Sequence, residues 1–118
     1  MLAWLDQQSI GTLYLTTITV GEIRYGLATL ANEKRKNALQ ERFETDVLPL
    51  FNNRILSYVL AATETYAAMM ARAKDEGLAI GTADGIIAAI AKCRRMKVAT
   101  RDSSPFLAGG IEVINPWL

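Results

Sequence analysis

No histidine occurs in the 118 residues, and cysteine occurs once, as Cys93. The first absence removes Ser-His-Asp and Cys-His catalysis, histidine-ligated metals and any imidazole general base. The second removes an internal disulfide and a thiolate zinc cluster, and makes the cytosol the default compartment. An excess of one charge is lacking too. Thirteen Lys+Arg face 12 Asp+Glu, and a net charge of +1 is too small to draw nucleic acid by global charge. No apolar run reaches the roughly 18 residues of a membrane span, and Met1 opens no basic segment followed by an apolar stretch. The chain therefore reads as soluble and unexported. Three scattered prolines, Pro49, Pro105 and Pro116, define no linker, and neither repeats nor low-complexity tracts interrupt the sequence, so residues 1–118 read as one domain. Carboxylates, hydroxyls, lysines and backbone groups are what remains for chemistry.

Apolar material is plentiful, at 51% of positions. A chain of this length can remove roughly two-thirds of its unfolded surface from water. A mean hydropathy of +0.15 is high for so small a domain and points to apolar surface that meets a partner. Leu2 to Gln8 has the pattern of the last turns of a helix. Thr12–Thr17 has the β-branched and aromatic content of a short buried strand. A helix follows, with Thr19 as its cap, Glu22 closing a capping box, and Ile23, Leu27 and Leu30 on one face. Asn32 opens a charged helix striped by Leu39, Phe43, Val47 and Leu50. A second strand is expected over Arg54–Tyr58, then a helix over Ala61–Glu76 closed by Gly77. The stretch Ile80–Met96 is the most apolar helix, covered on more than one side. Strands are expected at Lys97–Thr100 and Ile111–Ile114. Strands alternating with helical patterns predict an α/β fold with a parallel sheet flanked by helices.

In such a sheet, ligands bind beyond the carboxyl ends of the strands. Glu22, Asp84 and Asp102 occupy that kind of place, and clustered carboxylates suit the hard divalent cations Mg²⁺ and Mn²⁺. Each acid also has a plain structural reading. Glu22 completes a capping box, Asp84 faces the positive end of its helix dipole with Thr82 as cap, and Asp102 is a turn residue bonding its own backbone. Spacing leaves both readings open.

Three segments carry a resemblance: Thr17-Ile18-Thr19-Val20-Gly21-Glu22-Ile23-Arg24-Tyr25-Gly26, Ile80-Gly81-Thr82-Ala83-Asp84-Gly85-Ile86-Ile87-Ala88-Ala89 and Val98-Ala99-Thr100-Arg101-Asp102. Together with the closing Val113-Ile114-Asn115-Pro116-Trp117, they are similar to the motifs of PIN-domain ribonucleases, specifically the VapC and FitB-type toxins of type II toxin–antitoxin modules. The resemblance spans essentially the whole chain and keeps the motifs in order. It implies a PIN-like parallel sheet, an Mg²⁺ or Mn²⁺ site with Glu22, Asp84 and Asp102 as its acids, endonucleolytic cleavage of RNA, a cognate antitoxin, a homodimer and a role in plasmid stability. The family's first strand carries an Asp-Thr-Asn motif, whereas this sequence begins in the helix after it, so an N-terminally truncated fold is expected. Many relatives also carry an acid where this chain has Pro105. The alternative to the enzyme is a non-catalytic PIN remnant that binds an antitoxin or dimerises.

Other features weigh less. Lys92, Arg94, Arg95, Lys97 and Arg101 could attract an RNA backbone, although cations in a last helical turn also complement the helix dipole. Lys34-Arg35-Lys36 reads as a solvated helix face. Ser103 and Ser104 have no histidine to activate them and read as turn or cap residues. The stripes through Ile23 and Leu39 could form a groove for an amphipathic partner helix. Trp4 and Trp117 read as core or interface aromatics, with core the favoured place.

Overall fold

Residues 8–115 are described by a computed structural model. The expected N-terminal helix, but for Gln8 at its end, and both tryptophans lie outside these residues. By contact the chain divides into two compact units, one over Gln8–Leu56 and one from Ser57 onward.

In the first unit, a single 3-10 turn at Ile10–Thr12 leads into β1 (Leu15–Thr16), which runs directly into α1 (Thr17–Ala28). Thr16, extended at φ −105° and buried, caps α1 by accepting the Thr19 backbone N–H at 3.0 Å. The cap therefore sits three residues earlier than Thr19, which lies inside the first turn, and Glu22 closes no capping box. The strand is short enough that its last residue doubles as the helix cap, a role open to any of the neighbouring threonines. Asn32 does cap α2 (Glu33–Arg42), its side chain accepting the Arg35 N–H at 2.9 Å. Beyond Arg42 the chain loosens into a π-helical segment, Phe43–Val47, and a 3-10 turn, Leu48–Phe51. The expected stripe consequently breaks up: Phe43 is buried and Leu39 half-buried, while Val47 and Leu50 are exposed. β2 (Ile55–Leu56) pairs in parallel with β1, Leu15 opposite Ile55 and Thr16 opposite Leu56. Arg54 ties the strand entry together, donating from Nε to the Leu13 carbonyl at 3.1 Å and from Nη2 to the Leu50 carbonyl.

The second unit contains α3 (Leu60–Asp75), α4 (Thr82–Cys93), β3 (Val98–Ala99), α5 (Ser104–Ala108) and β4 (Val113–Ile114). β3 and β4 pair in parallel, Val98 opposite Val113 and Ala99 opposite Ile114. The strands thus pair in parallel as the alternation predicts, and among the described residues they form two separate two-stranded pairs in place of one sheet. The core gathers Met69 of α3, Ala88, Ala89 and Ala91 of α4, Phe106 of α5 and Ile111, with Val98 and Val113 against it. Alanines on α4 let α3 approach closely, and these two helices form the most extensive pair in the unit. Burying a side chain such as Phe106 or Ile111 contributes roughly 1.5–3 kcal/mol.

The helices α3, α4 and α5 end alike. After α3, Leu78 N–H reaches the Ala73 carbonyl at 2.8 Å with Gly77 left-handed at φ +71°. After α4, Met96 N–H reaches the Ala91 carbonyl at 2.8 Å, with Arg95 left-handed at φ +56°. After α5, Ile111 N–H reaches the Phe106 carbonyl at 2.9 Å with Gly110 at φ +76°. Each is the six-to-one closure that satisfies orphan carbonyls, with an apolar residue following the left-handed one.

Candidate active site

Two of the candidate acids follow the carboxyl end of a strand in their own units. Glu22 lies in the second turn of α1, directly after β1, and is exposed. Asp102 follows β3 in the turn before α5, also exposed; its Oδ1 accepts a long hydrogen bond from Ser104 Oγ at 3.5 Å, and its carbonyl accepts one from Thr100 Oγ1 at 3.4 Å. Ser103 and Ser104 accordingly serve the turn and the start of α5, not a nucleophile's role. Asp84 is the third residue of α4, half-buried, where the unpaired N–H groups of the helix start favour a carboxylate. Thr82 is not the cap; that place belongs to Gly81, which has no side chain to offer.

Neither Glu22 nor Asp84 has a hydrogen bond or ion pair with any described residue, so their oxygens keep their lone pairs open. Oxygen-only donors of this kind fit a hard divalent cation. Among the described residues, however, no three acidic or cysteine side chains gather into a finished metal cage. Mg²⁺ tolerates that situation, since it is commonly held by one or two carboxylates while water and substrate phosphate fill the remaining positions.

The basic residues after α4 are all exposed. Lys97 pairs with Glu112 at 3.2 Å, and Lys92 Nζ reaches the Gly109 carbonyl at 3.5 Å. On α2, Lys34 and Arg35 are exposed as expected, whereas Lys36 is half-buried and pairs with Glu33 at 3.1 Å. One ion pair had no sequence signal. Arg24 donates from Nε and Nη2 to the two carboxylate oxygens of Glu44 at 2.8 and 3.0 Å, a fork-to-fork contact across 20 residues that the π-helical turn makes possible. These hydrogen bonds, with the charge behind them, lower the Glu44 pKa from its ordinary value and raise that of Arg24.

The sequence pattern that defines the PIN domain matches residues 1–108. The chain belongs to the PIN-domain family. It is 51% identical over 117 residues to VapC ribonuclease Y4jK of Sinorhizobium fredii and 46% identical over 117 residues to toxin FitB of Neisseria gonorrhoeae, covering 99% of this chain and 84% of either relative. FitAcB from Neisseria gonorrhoeae superposes with a TM-score of 0.95 at 46% identity, covering 98% of this chain and 84% of that one. FitAB bound to an IR36 DNA fragment superposes equally well at 47% identity, covering 99% and 82%. The PIN fold agrees with the observed order of parallel strands and flanking helices. No helix among the described residues is long and apolar enough to cross a membrane.

Proposed function

We propose that this PIN-domain protein is a divalent-metal-dependent endoribonuclease toxin of a type II toxin–antitoxin module, with Glu22, Asp84 and Asp102 as the acids of an Mg²⁺ or Mn²⁺ site. The observation that carries this reading is the identity of about half the residues, across 99% of the chain, to a protein named as a VapC ribonuclease. A bound divalent ion would supply an activated water and offset charge on the phosphoryl oxygens of RNA. The chain's own contribution is anionic oxygen that is not already engaged. Asp84 brings a charge favoured by its helix start, the Asp102 carboxylate accepts one long contact from Ser104 among the described residues, and Glu22 has no partner among them. The chain has no histidine, and on this reading the carboxylates beside the ion would take the proton from water.

On this reading residues 1–118 act as a single PIN-like domain and a second copy makes a homodimer. A cognate antitoxin is the partner for the apolar faces of α1 and α2, where Ile23, Leu27 and Leu39 are half-buried and Tyr25 is 70% exposed; Leu30, expected on the same helix face, lies past the end of α1 in the connection to α2. A second reading, a non-catalytic PIN fold that only binds its antitoxin, draws on the finding that no three acidic or cysteine side chains gather among the described residues. RNA cleavage separates the two. The purified chain is expected to cut single-stranded RNA internally with Mn²⁺ and to stop in chelator. Tight antitoxin binding without cleavage under any divalent ion would establish the second reading instead.

A further inference from the structure

The turn that carries Asp84 is bracketed by glycines. Gly81 is the N-cap of α4 and offers no capping side chain; Gly85 closes the first helical hydrogen bond, donating to the Gly81 carbonyl at 2.8 Å. Glycine is among the weakest helix formers, so a turn framed this way holds its shape poorly on its own. Nor does the Asp84 carboxylate help, since it has no partner among the described residues. Something else must fix the direction in which it projects.

That support comes from α3. Gly85 is buried, and a Cβ placed on it would lie 2.9 Å from Met70 Sδ and 3.1 Å from the Tyr66 ring. Tyr66 is in turn braced edge-to-face by Tyr58, with ring centroids 6.1 Å apart. Met70 has a flexible end that can yield; the braced ring has less freedom to do so. We infer that Gly85 is a positioning residue, whose lack of a side chain lets Tyr66 and Met70 seat the first turn of α4 and thereby aim Asp84. The inference rests on Asp84 being a site acid, as proposed above, but its structural half can be read without metal or RNA.

The test uses the whole chain. In Gly85→Ala, the backbone amide resonances of Asp84 and its neighbours should shift, with the thermal transition of the metal-free protein retained. Mn²⁺ affinity should fall about tenfold, as when a metal ligand loses its orienting support. A purely structural glycine would instead lower the thermal transition and leave Mn²⁺ affinity per folded molecule unchanged, which overturns the inference. If Gly85→Ala does not fold, Met70→Ala alone decides the matter. Loss of the seat should speed amide exchange at Asp84 and Gly85 relative to Ala88 and Ala89, and equal protection would overturn it. Amide changes as expected in a wild-type protein that binds no Mn²⁺ would support the seating and refute the metal reading, so the two failures are distinguishable.

Discussion

Asp84 is a half-buried carboxylate with no partner among the described residues, a combination that stability alone does not favour. Its one evident stabiliser is the start of α4, worth roughly 0.3–1 kcal/mol for an exposed charge. Asp84→Asn should therefore change the unfolding free energy of the metal-free protein by about 1 kcal/mol or less, while RNA cleavage is lost; urea unfolding and a cleavage assay on the same preparation check both. Thr16 tests local structure. Losing its cap should cost about 1 kcal/mol in Thr16→Ala, more than in Thr19→Ala, because only the Thr16 hydroxyl accepts the first-turn N–H. Arg95 works in the opposite direction. A side chain in the left-handed region costs roughly 1–2 kcal/mol, so Arg95→Gly should raise the thermal transition. At this scale Glu22, Asp84 and Asp102 stand out in the sequence only because whole motifs surround them, and their joint role remains the proposal made above. The Thr16 cap was not, since Thr16, Thr17 and Thr19 have the same chemistry and only the end of a two-residue strand distinguishes them. Gly85 was invisible for another reason: its meaning lies in Met70 and Tyr66, far off in sequence.

Asn32 and Gly77 mark helix ends in the sequence because each acts locally, one accepting an N–H three residues on and the other adopting a positive φ that disfavours side chains. The helices α1 to α4 were legible from such marks and from apolar spacing. The five-residue α5 was not, as one turn is too short to establish a period, and the π-helical break after Arg42 cut the stripe that ordinary helical spacing projected onward to Leu50. That break places Glu44 opposite Arg24. Because the Arg24 hydrogen bonds depress the Glu44 pKa in the folded protein, the pair's stabilisation is present above the ordinary glutamate value and is lost as pH falls through the depressed folded one. Wild type should thus lose stability faster than Glu44→Gln as pH drops below about 4.3. The contact is solvent-exposed, so the difference should shrink in high salt. Unfolding midpoints of both proteins across pH and salt check this.

At the scale of the whole molecule, the PIN domain is shown, and the cation held by Glu22, Asp84 and Asp102 and the partner on the apolar faces of α1 and α2 are proposed. If an antitoxin reaches the acids with a lysine or arginine, partner and metal compete, and by linkage each must weaken the other equally. Antitoxin titrations with and without Mn²⁺ should then give different affinities; equal values would remove the competition. The family and the order of its elements were legible along most of the chain, but a shared metal site is a property of three side chains acting at once, which no single segment displays. The most direct measurement is calorimetric titration of Mn²⁺ into the wild-type chain and into Glu22→Gln, Asp84→Asn and Asp102→Asn. One site in the wild type, weakened at least about tenfold by each substitution, is the predicted result. Wild-type affinity in any one variant, or no binding to the wild type, would contradict it.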